Sequence, residues 1–261
     1  MRTALFLGLS ALLASAAFAE AKEPVDWVNA EIGWISHLLT PVYPTMGRPN
    51  GQLRVFPPND QYTQDQVANF KLLVATHRHY WGRFTFRPGP SPMTFDQQHI
   101  KPYRYDGYID SAAAQVALAP AEKSAIVSVT FEEAGPQTIA VGTSEDGELK
   151  WDGRALTGFE VHWGTTIYFH GEFDRNPSAL VSNGKERVFS FGSQPGTVRF
   201  RYAVSLVSAA QAKANVRREI PGWDLDAVAA AGRAAWNAKL GKIRVEGGTE
   251  DQKTEIGRAH V

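Results

Sequence analysis

Strand signals recur through most of this chain, separated by turn residues at intervals of roughly ten positions. In the clearest of them, Thr197 to Leu206, every second residue from Val198 onward is apolar. This spacing is typical of antiparallel sandwiches, whereas βαβ units need a helix between strands. The sequence therefore predicts an all-β fold, an antiparallel β-sandwich, with a hairpin turn at Asp146-Gly147. The other predicted strands are Val67–Thr76, Arg83–Phe86, Tyr105–Ile109, Gln115–Leu118, Ser124–Glu132, Thr138–Val141, Leu149–Trp151 and Thr166–Phe173.

The hydrophobic period changes to that of a helix after the last predicted strand. Ser208 is positioned to cap a helix over Ala209–Arg218, which Pro221-Gly222 ends. Asp224 is the predicted cap of a second helix, whose apolar residues recur at helical spacing as far as Leu240. The sandwich is thus expected to be followed by two linker helices.

A further change of pattern follows the second helix. Gly241 is predicted to stop that helix, and Lys242 to Glu246 alternates as a half-buried strand would. Thr249 and Gln252 have the spacing of a capping box, in which each side chain accepts a hydrogen bond from the backbone N–H of the other residue. This spacing predicts that a third helix begins here.

Residues 1–19 have the pattern of a secretory signal peptide. A basic start at Met1-Arg2 is followed by an apolar run from Ala4 to Ala16 and by the cleavage pattern Ala17-Phe18-Ala19. A membrane anchor is the alternative interpretation, but this run is shorter than a bilayer span requires. We therefore expect an exported bacterial protein, secreted or periplasmic, whose mature chain begins near Glu20.

The composition excludes several classes of protein. The chain has no cysteine, which excludes a disulfide framework, a thiolate metal site and a lipid-modified cysteine anchor. Lysine plus arginine and aspartate plus glutamate balance at 27 each, which argues against nucleic acid or an anionic membrane as a partner. The seven tryptophans fit a carbohydrate-handling protein, although core packing is the commoner use of aromatic side chains.

The run from Trp236 to Thr254 resembles the domain junction of glycoside hydrolase family 92. The similarity is carried by Trp236-Asn237, Leu240-Gly241-Lys242-Ile243 and the stretch from Val245 to Thr254. A second, less specific part lies near the start of the mature chain, where the family has a V-N-x-x-I-G run and a Y-P…P-N/F-G-x-L-R pattern. The matching positions there are Val28, Asn29, Ile32, Gly33, Tyr43, Pro44, Pro49, Asn50, Gly51, Leu53 and Arg54.

The resemblance implies a fold, an activity and a cofactor. Members of the family are exo-acting α-mannosidases in which a β-sandwich domain of the supersandwich type is joined through helices to a large helical catalytic domain. They invert the anomeric configuration and depend on calcium, and they hydrolyse α-mannosides such as N-glycans or mannan side chains. In the family the catalytic carboxyls and the calcium ligands belong to the helical domain, so none are expected in this chain.

The resemblance also implies domain boundaries. Residues 20–207 correspond to the N-terminal β-sandwich, residues 208–246 to the linker helices and strand, and residues 247–254 to the start of a helical catalytic domain that is cut short. The tail from Glu255 to Val261 departs from the family and looks like a translated sequencing adapter. We therefore expect a natural protein that continues beyond Thr254, with the helical domain and α-mannoside glycans as the partners of this chain.

The segment Thr76 to Trp81 has the highest density of side chains capable of chemistry. His77 and His79 would share one face of an extended strand, a spacing that permits a metal site, but no third ligand is apparent. The alternatives are contact with sugar hydroxyls and a hydrogen-bond network that holds the loop. In the family a histidine in a T/S-H motif lies near the active site. The candidate substrate-binding residues are His77, Arg78, Trp81 and Asn50.

Hydrolysis of a glycoside needs two carboxyl groups on opposite sides of the scissile bond. The acidic side chains in turns and on polar strand faces are best interpreted as solvated charges, and no position is marked as catalytic by its sequence context. The alternative to a truncated mannosidase is a non-catalytic carbohydrate-binding β-sandwich module. The acidic residues considered are Asp96, Asp106, Asp110, Glu132, Glu133, Glu145, Asp146, Glu160, Glu172 and Asp174.

Overall fold

The structure is a computed structural model and describes residues 22–31, 44–55, 66–74, 82–243 and 246–258. Its strands form two large antiparallel sheets, which confirms the predicted all-β sandwich. In chain order the strands are β1 (Met46–Gly47), β2 (Arg54–Val55), β3 (Gln66–Val67), β4 (Phe70–Val74), β5 (Gly82–Pro88), β6 (Met93–Lys101), β7 (Arg104–Ile109), β8 (Ala114–Pro120), β9 (Ser124–Phe131), β10 (Thr138–Gly142), β11 (Gly147–Trp151), β12 (Ala155–His162), β13 (Thr165–Phe173), β14 (Ala179–Asn183), β15 (Glu186–Ser190) and β16 (Gly196–Ser205).

One sheet has nine strands in the order β11-β12-β13-β16-β9-β8-β7-β6-β3 among the described residues. The other has five, in the order β14-β15-β10-β5-β4, and β1 pairs with β2. All the pairs are antiparallel, as expected for strands that alternate in burial. In β16 the alternation predicted from sequence is observed, because Val198, Phe200, Tyr202 and Val204 are buried between the sheets.

The core between the sheets is aromatic at its centre. Phe200 of β16 contacts Phe86 of the facing sheet, with ring centroids 5.7 Å apart, and Phe169 of β13 at 6.3 Å. The Tyr202 ring stacks on Phe169 at 5.6 Å, and its hydroxyl donates to the carbonyl of Leu72 at 2.8 Å. These rings connect the two sheets because each strand contributes every second side chain to the interior.

Three helices follow the sandwich: α1 (Ala209–Glu219), α2 (Leu225–Leu240) and α3 (Glu250–Arg258). The predicted caps are confirmed: the Ser208 side chain accepts from the Gln211 N–H, and Asp224 accepts from the Ala227 N–H. Both hydrogen bonds of the capping box at the start of α3 are present, at 2.9 and 3.2 Å. None of the helices among the described residues is long and apolar enough to cross a membrane.

Helices α1 and α2 cover part of the outer face of the nine-stranded sheet. A second hydrophobic cluster forms there, in which Ile126 of β9 packs with Leu225 and Ala229 of α2. Glu219, near the end of α1, accepts from the backbone N–H of Lys123 at 2.9 Å and from the Ser124 hydroxyl at 2.7 Å. The linker helices therefore belong to the packed body of the sandwich.

Two sequence predictions about short segments of the chain are wrong. Asp146-Gly147 does not form a hairpin, because the chain crosses there from β10 in one sheet to β11 in the other. No strand includes Lys242, Ile243 or Glu246, while residues 244–245 lie outside the described residues. Gly241 does end α2 as predicted, although with right-handed rather than left-handed dihedral angles.

The first described segment is fixed to α2 by charged and polar contacts. Arg233 of α2 binds Asp26 through both terminal nitrogens, at 2.5 and 2.7 Å, and approaches Glu23 at 2.8 Å. The side-chain oxygen of Asn237 accepts from the Val25 N–H at 2.9 Å. The hydrogen bonds from Arg233 hold the pKa of Asp26 below its ordinary value of 3.8.

A depressed carboxyl pKa makes this contact sensitive to acid. The folded state binds the Asp26 proton more weakly than the unfolded state, so the stability that it contributes is present above about pH 3.8 and is lost as the pH falls through the folded pKa. We expect Asp26→Asn to lower the free energy of unfolding by about 1 kcal/mol at pH 7 and to flatten its acid dependence. Denaturant titrations from pH 2.5 to 7 test this, with the exposed Glu133→Gln as control. Equal acid slopes for Asp26→Asn and the unmodified protein would contradict the prediction.

Candidate functional site

A two-residue turn between β12 and β13 places a tryptophan at one end of the sandwich. His162 pairs with Thr165, so Trp163 and Gly164 alone form the loop, and both have positive φ angles, 47° and 76°. Positive φ at both positions is the pattern of the type I′ turn, whose twist matches that of the flanking strands. A bulky side chain is rare in this conformation. The Trp163 side chain is 74% exposed.

Beneath Trp163 lies a buried polar cluster. The indole ring stacks on the His162 imidazole, with centroids 4.8 Å apart and planes within 17°. The Nδ1 atom of His162 contacts a terminal nitrogen of Arg83, which is only 2% exposed and binds Glu145 at 3.0 Å. Burial and the charge of Arg83 lower the pKa of His162 below its ordinary value of 6.5. The imidazole is therefore neutral at pH 7 and can accept the hydrogen bond from Arg83.

Glu160 is the most deeply buried member of this cluster and has no solvent exposure. Its carboxylate accepts hydrogen bonds from three backbone N–H groups: Phe84 at 3.1 Å, Glu145 at 3.3 Å, and Ser144. Burial raises the pKa of Glu160, and the three hydrogen bonds oppose that rise. The interpretation of this residue as a solvated charge is therefore wrong.

The backbone around Glu160 has a second positive φ angle. Phe84 of β5 has φ 49°, an uncommon conformation for an aromatic residue. The Phe84 N–H donates one of the three hydrogen bonds to the Glu160 carboxylate. This bond holds the strained backbone of Phe84 in place. Residues held in such conformations are concentrated at functional sites. Phe84 and Trp163 thus mark this end of the sandwich as the candidate functional site.

Three of the four predicted substrate-binding residues, His77, Arg78 and Trp81, lie outside the described residues. They belong to residues 75–81, between β4 and β5, and the flanking Val74 and Gly82 are paired with each other. The buried Arg83 comes directly after Gly82. The described part of the cluster therefore adjoins the place where this segment leaves and re-enters the five-stranded sheet.

Asn50, the fourth predicted residue, lies in the turn between β1 and β2. It is exposed and has φ 60°. Nearby, the N–H groups of Gln52 and Leu53 both donate to the carbonyl of Glu122 in the β8–β9 turn, at 2.8 Å. That turn and the one carrying Trp163 lie at the same end of the nine-stranded sheet, and β16 lies between the two hairpins. The structure thus does not join Asn50 to the buried cluster.

Arg83, Glu160, His162 and Trp163 were not selected from sequence. The pattern in the sequence that could have located this end of the sandwich is Trp163-Gly164 between two strand-like segments. A glycine at the second position of a two-residue hairpin loop readily adopts the positive φ angle that the turn requires. Among the described residues no group of three or more histidine or acidic side chains is placed to hold a metal ion.

Comparison with known proteins gives two kinds of match. The family model described as "Glycosyl hydrolase family 92 catalytic domain" matches residues 211–256, which begin in α1 and end in α3. A family GH92 inverting mannosidase from Bacteroides thetaiotaomicron VPI-5482 matches with a TM-score of 0.80 and 21% identity, over 90% of this chain and 38% of that one. No curated protein matches.

A second solved structure from Bacteroides thetaiotaomicron, a family GH92 α-mannosidase, has a TM-score of 0.80 and 19% identity, over 93% of this chain and 41% of that one. The same enzyme in complex with mannoimidazole gives a TM-score of 0.78. These likenesses confirm the fold, and the family match confirms the resemblance to family 92 in the linker region. The chain spans less than half the length of these solved structures.

Proposed function

We propose that this chain is the N-terminal β-domain of a longer, exported α-mannosidase of glycoside hydrolase family 92. In that parent protein a helical domain follows α3 and carries the catalytic carboxyls and the calcium ligands. The reaction proposed for it is inverting, calcium-dependent hydrolysis of α-mannosides. Without the helical domain, we expect the present chain to be inactive.

The observation that carries this proposal is the position of the family match on the fold. The match to a catalytic-domain model starts within α1 and runs through α2 into α3, after the sandwich has ended. The fold likeness covers 90% of this chain but only 38% of the solved mannosidase. A sandwich followed directly by helices that match the catalytic-domain model is the arrangement that the proposal requires.

The proposed role of the sandwich is to close one side of the sugar pocket. The end that carries Trp163 offers an exposed ring backed by a neutral imidazole and a buried guanidinium. Aromatic ring faces pack against the apolar C–H faces of sugars, while neighbouring polar groups reach the hydroxyls. Gly82 and Arg83, which directly follow residues 75–81, lie at this end, and we propose that His77, Arg78 and Trp81 contribute to the same pocket.

Recovery of the complete reading frame from the source DNA tests the proposal. The longer protein and the present chain are assayed side by side on α-mannosides, with and without a chelator. We expect activity in the longer protein alone and its loss on chelation. A stop codon directly after Val261 in the genome, or hydrolysis by the present chain, would overturn the proposal.

Trp163→Ala tests the role of the hairpin tip in the longer protein. We expect KM for an α-mannoside to rise roughly tenfold, since one lost ring contact is worth about 1.4 kcal/mol, while the melting temperature stays within about 1 °C because the ring is exposed. Trp151→Phe, in the half-buried core aromatic cluster on β11, is the matched control and should lower stability without changing KM. An unchanged KM for Trp163→Ala would remove Trp163 from the proposed pocket.

A further inference from the structure

An open cleft lies on the outer face of the nine-stranded sheet, beside the start of α2. Its volume is about 540 Å³, within the range of pockets that hold small ligands. Helices α1 and α2 cover the neighbouring part of the sheet and leave this part open. The cleft is lined by Arg104, Ala117, Ser128, Arg199, Trp223, Asp224, Leu225 and Asp226.

The floor of the cleft is a row of side chains that crosses four strands. Arg199 of β16 pairs with Ser128 of β9, Ser128 with Ala117 of β8, and Ala117 with Asp106 of β7. The next row on the same face is also polar and contains Thr197, Thr130, Gln115 and Tyr108. The intervening residues of these strands point into the core, so this face presents hydroxyl, amide and charged groups to the solvent.

One wall of the cleft is an aromatic ring whose position is fixed. The guanidinium of Arg201 lies over the Trp223 ring, 4.4 Å from its centroid. The same group donates to the carbonyls of Ile220 and Pro221, both at 2.9 Å, in the turn that precedes Trp223. Arg201 is itself held by Glu172 at 2.7 Å. The ring is thus prearranged, which lowers the entropy lost when a ligand binds.

The charges that line the cleft are compensated within the protein. Arg104 binds Asp106 at 2.6 Å and Asp226 at 2.5 Å, and Arg199 approaches Asp174 at 3.4 Å. Asp224 caps α2 and accepts a hydrogen bond from the Ala227 N–H. A ligand with a net charge would have to compete with these internal pairs, whereas a neutral ligand with many hydroxyls can use their remaining donors and acceptors.

We infer that this cleft binds a neutral glycan. The Ser128 hydroxyl and the paired charges of the cleft supply hydrogen bonds to sugar hydroxyls, and Trp223 supplies an apolar wall for a sugar C–H face. The choice of α-mannan as the first probe rests on the function proposed above, but the site follows from the lining of the cleft. It would hold polymeric substrate on the sandwich through a contact that involves no hydrolysis.

Affinity electrophoresis of the 261-residue chain through gels with soluble α-mannan, soluble β-glucan or polygalacturonate tests this inference. We expect α-mannan to retard the protein and polygalacturonate not to. Trp223→Ala and Ser128→Gln should each weaken retardation at least tenfold. Ser182→Gln, an equivalent change on exposed β14, should leave it unchanged.

Several results would overturn the inference. These are the absence of retardation by either neutral polysaccharide, retardation by polygalacturonate alone, and retardation that survives Ser128→Gln. Trp223 also packs against the hydrophobic cluster beneath α2, so circular dichroism must show that Trp223→Ala is folded. If Trp223→Ala is unfolded, the result for Ser128→Gln alone tests glycan binding at the cleft. Retardation by β-glucan alone would support glycan binding at the cleft and contradict mannan as its ligand. The assay needs no catalysis, so its outcome is independent of the test of the proposed function.

Discussion

Replacing Glu160 with alanine is expected to lower the free energy of unfolding by about 3–5 kcal/mol. The change leaves the buried N–H groups of Phe84, Ser144 and Glu145 without their acceptor. Phe84 in addition loses the hydrogen bond that holds its positive φ angle. Urea titration followed by circular dichroism measures the loss. In the longer protein we also expect the α-mannoside KM to rise, because β5 and the Trp163 hairpin are connected through this carboxylate.

Two further variants separate the hydrogen-bond explanation from a general effect of removing charge. Glu148→Ala removes an exposed carboxylate from the neighbouring strand β11 and should change stability by less than about 0.5 kcal/mol. Glu160→Gln keeps one acceptor oxygen and places an NH₂ group against a backbone donor, so its cost should be intermediate. If Glu160→Ala proved as mild as Glu148→Ala, Glu160 would not be the group that organises this end of the sandwich.

The second large effect is expected for Arg201→Ala, at about 3 kcal/mol. Arg201 lies between sheet and linker, bound to Glu172 on β13, to three carbonyls of the α1–α2 turn and to the Trp223 ring. Its removal leaves the half-buried Glu172 with His170 as its remaining partner, at 2.9 Å. The turn would lose its attachment to the sheet, so glycan retardation should weaken together with stability. Thermal unfolding and affinity electrophoresis measure the two effects.

Arg201→Lys and Arg199→Ala are the comparisons for that experiment. A single ammonium cannot bind Glu172 and the turn carbonyls together, so Arg201→Lys should recover no more than about half of the lost stability. Arg199 lies two residues away on the same face, is more exposed and meets Asp174 at a longer 3.4 Å, so Arg199→Ala should cost about 0.5 kcal/mol. Full recovery by lysine would show that charge alone, and not the fork of the guanidinium, holds the turn.

Local pattern predicted the parts of the fold whose stabilising contacts are close in sequence. The caps at Ser208, Asp224 and Thr249 each bind an N–H three residues away, so the required partners are visible in the chain itself. The alternation in β13 and β16 identified their buried faces because one side of each strand packs against the other sheet. The family motif in the linker could be recognised for the same reason, because its residues are continuous in sequence.

Strands that lack a regular buried face were missed. A register shift between Asp96 and His99 interrupts the alternation of β6, and all five residues of the edge strand β14 are exposed. In β12 the buried residue that breaks the apolar pattern is Glu160 itself. The turn at Asp146-Gly147 was assigned to a hairpin because sequence cannot show that its two flanking strands belong to different sheets.

The fold class, the capped helices and the resemblance of α1–α3 to family 92 can all be derived from the order of residues along the chain. The polar residues that are buried and hold the fold together are identified by their tertiary contacts. Glu160 is 76 positions from Phe84 along the chain, and 16 and 15 positions from its other two donors, Ser144 and Glu145. Arg201 is likewise 29 residues from Glu172. From sequence alone, a carboxylate or guanidinium is expected to be exposed to solvent. Its burial depends on hydrogen-bond partners that long-range strand pairing brings within reach, and these partners are not neighbours in the chain.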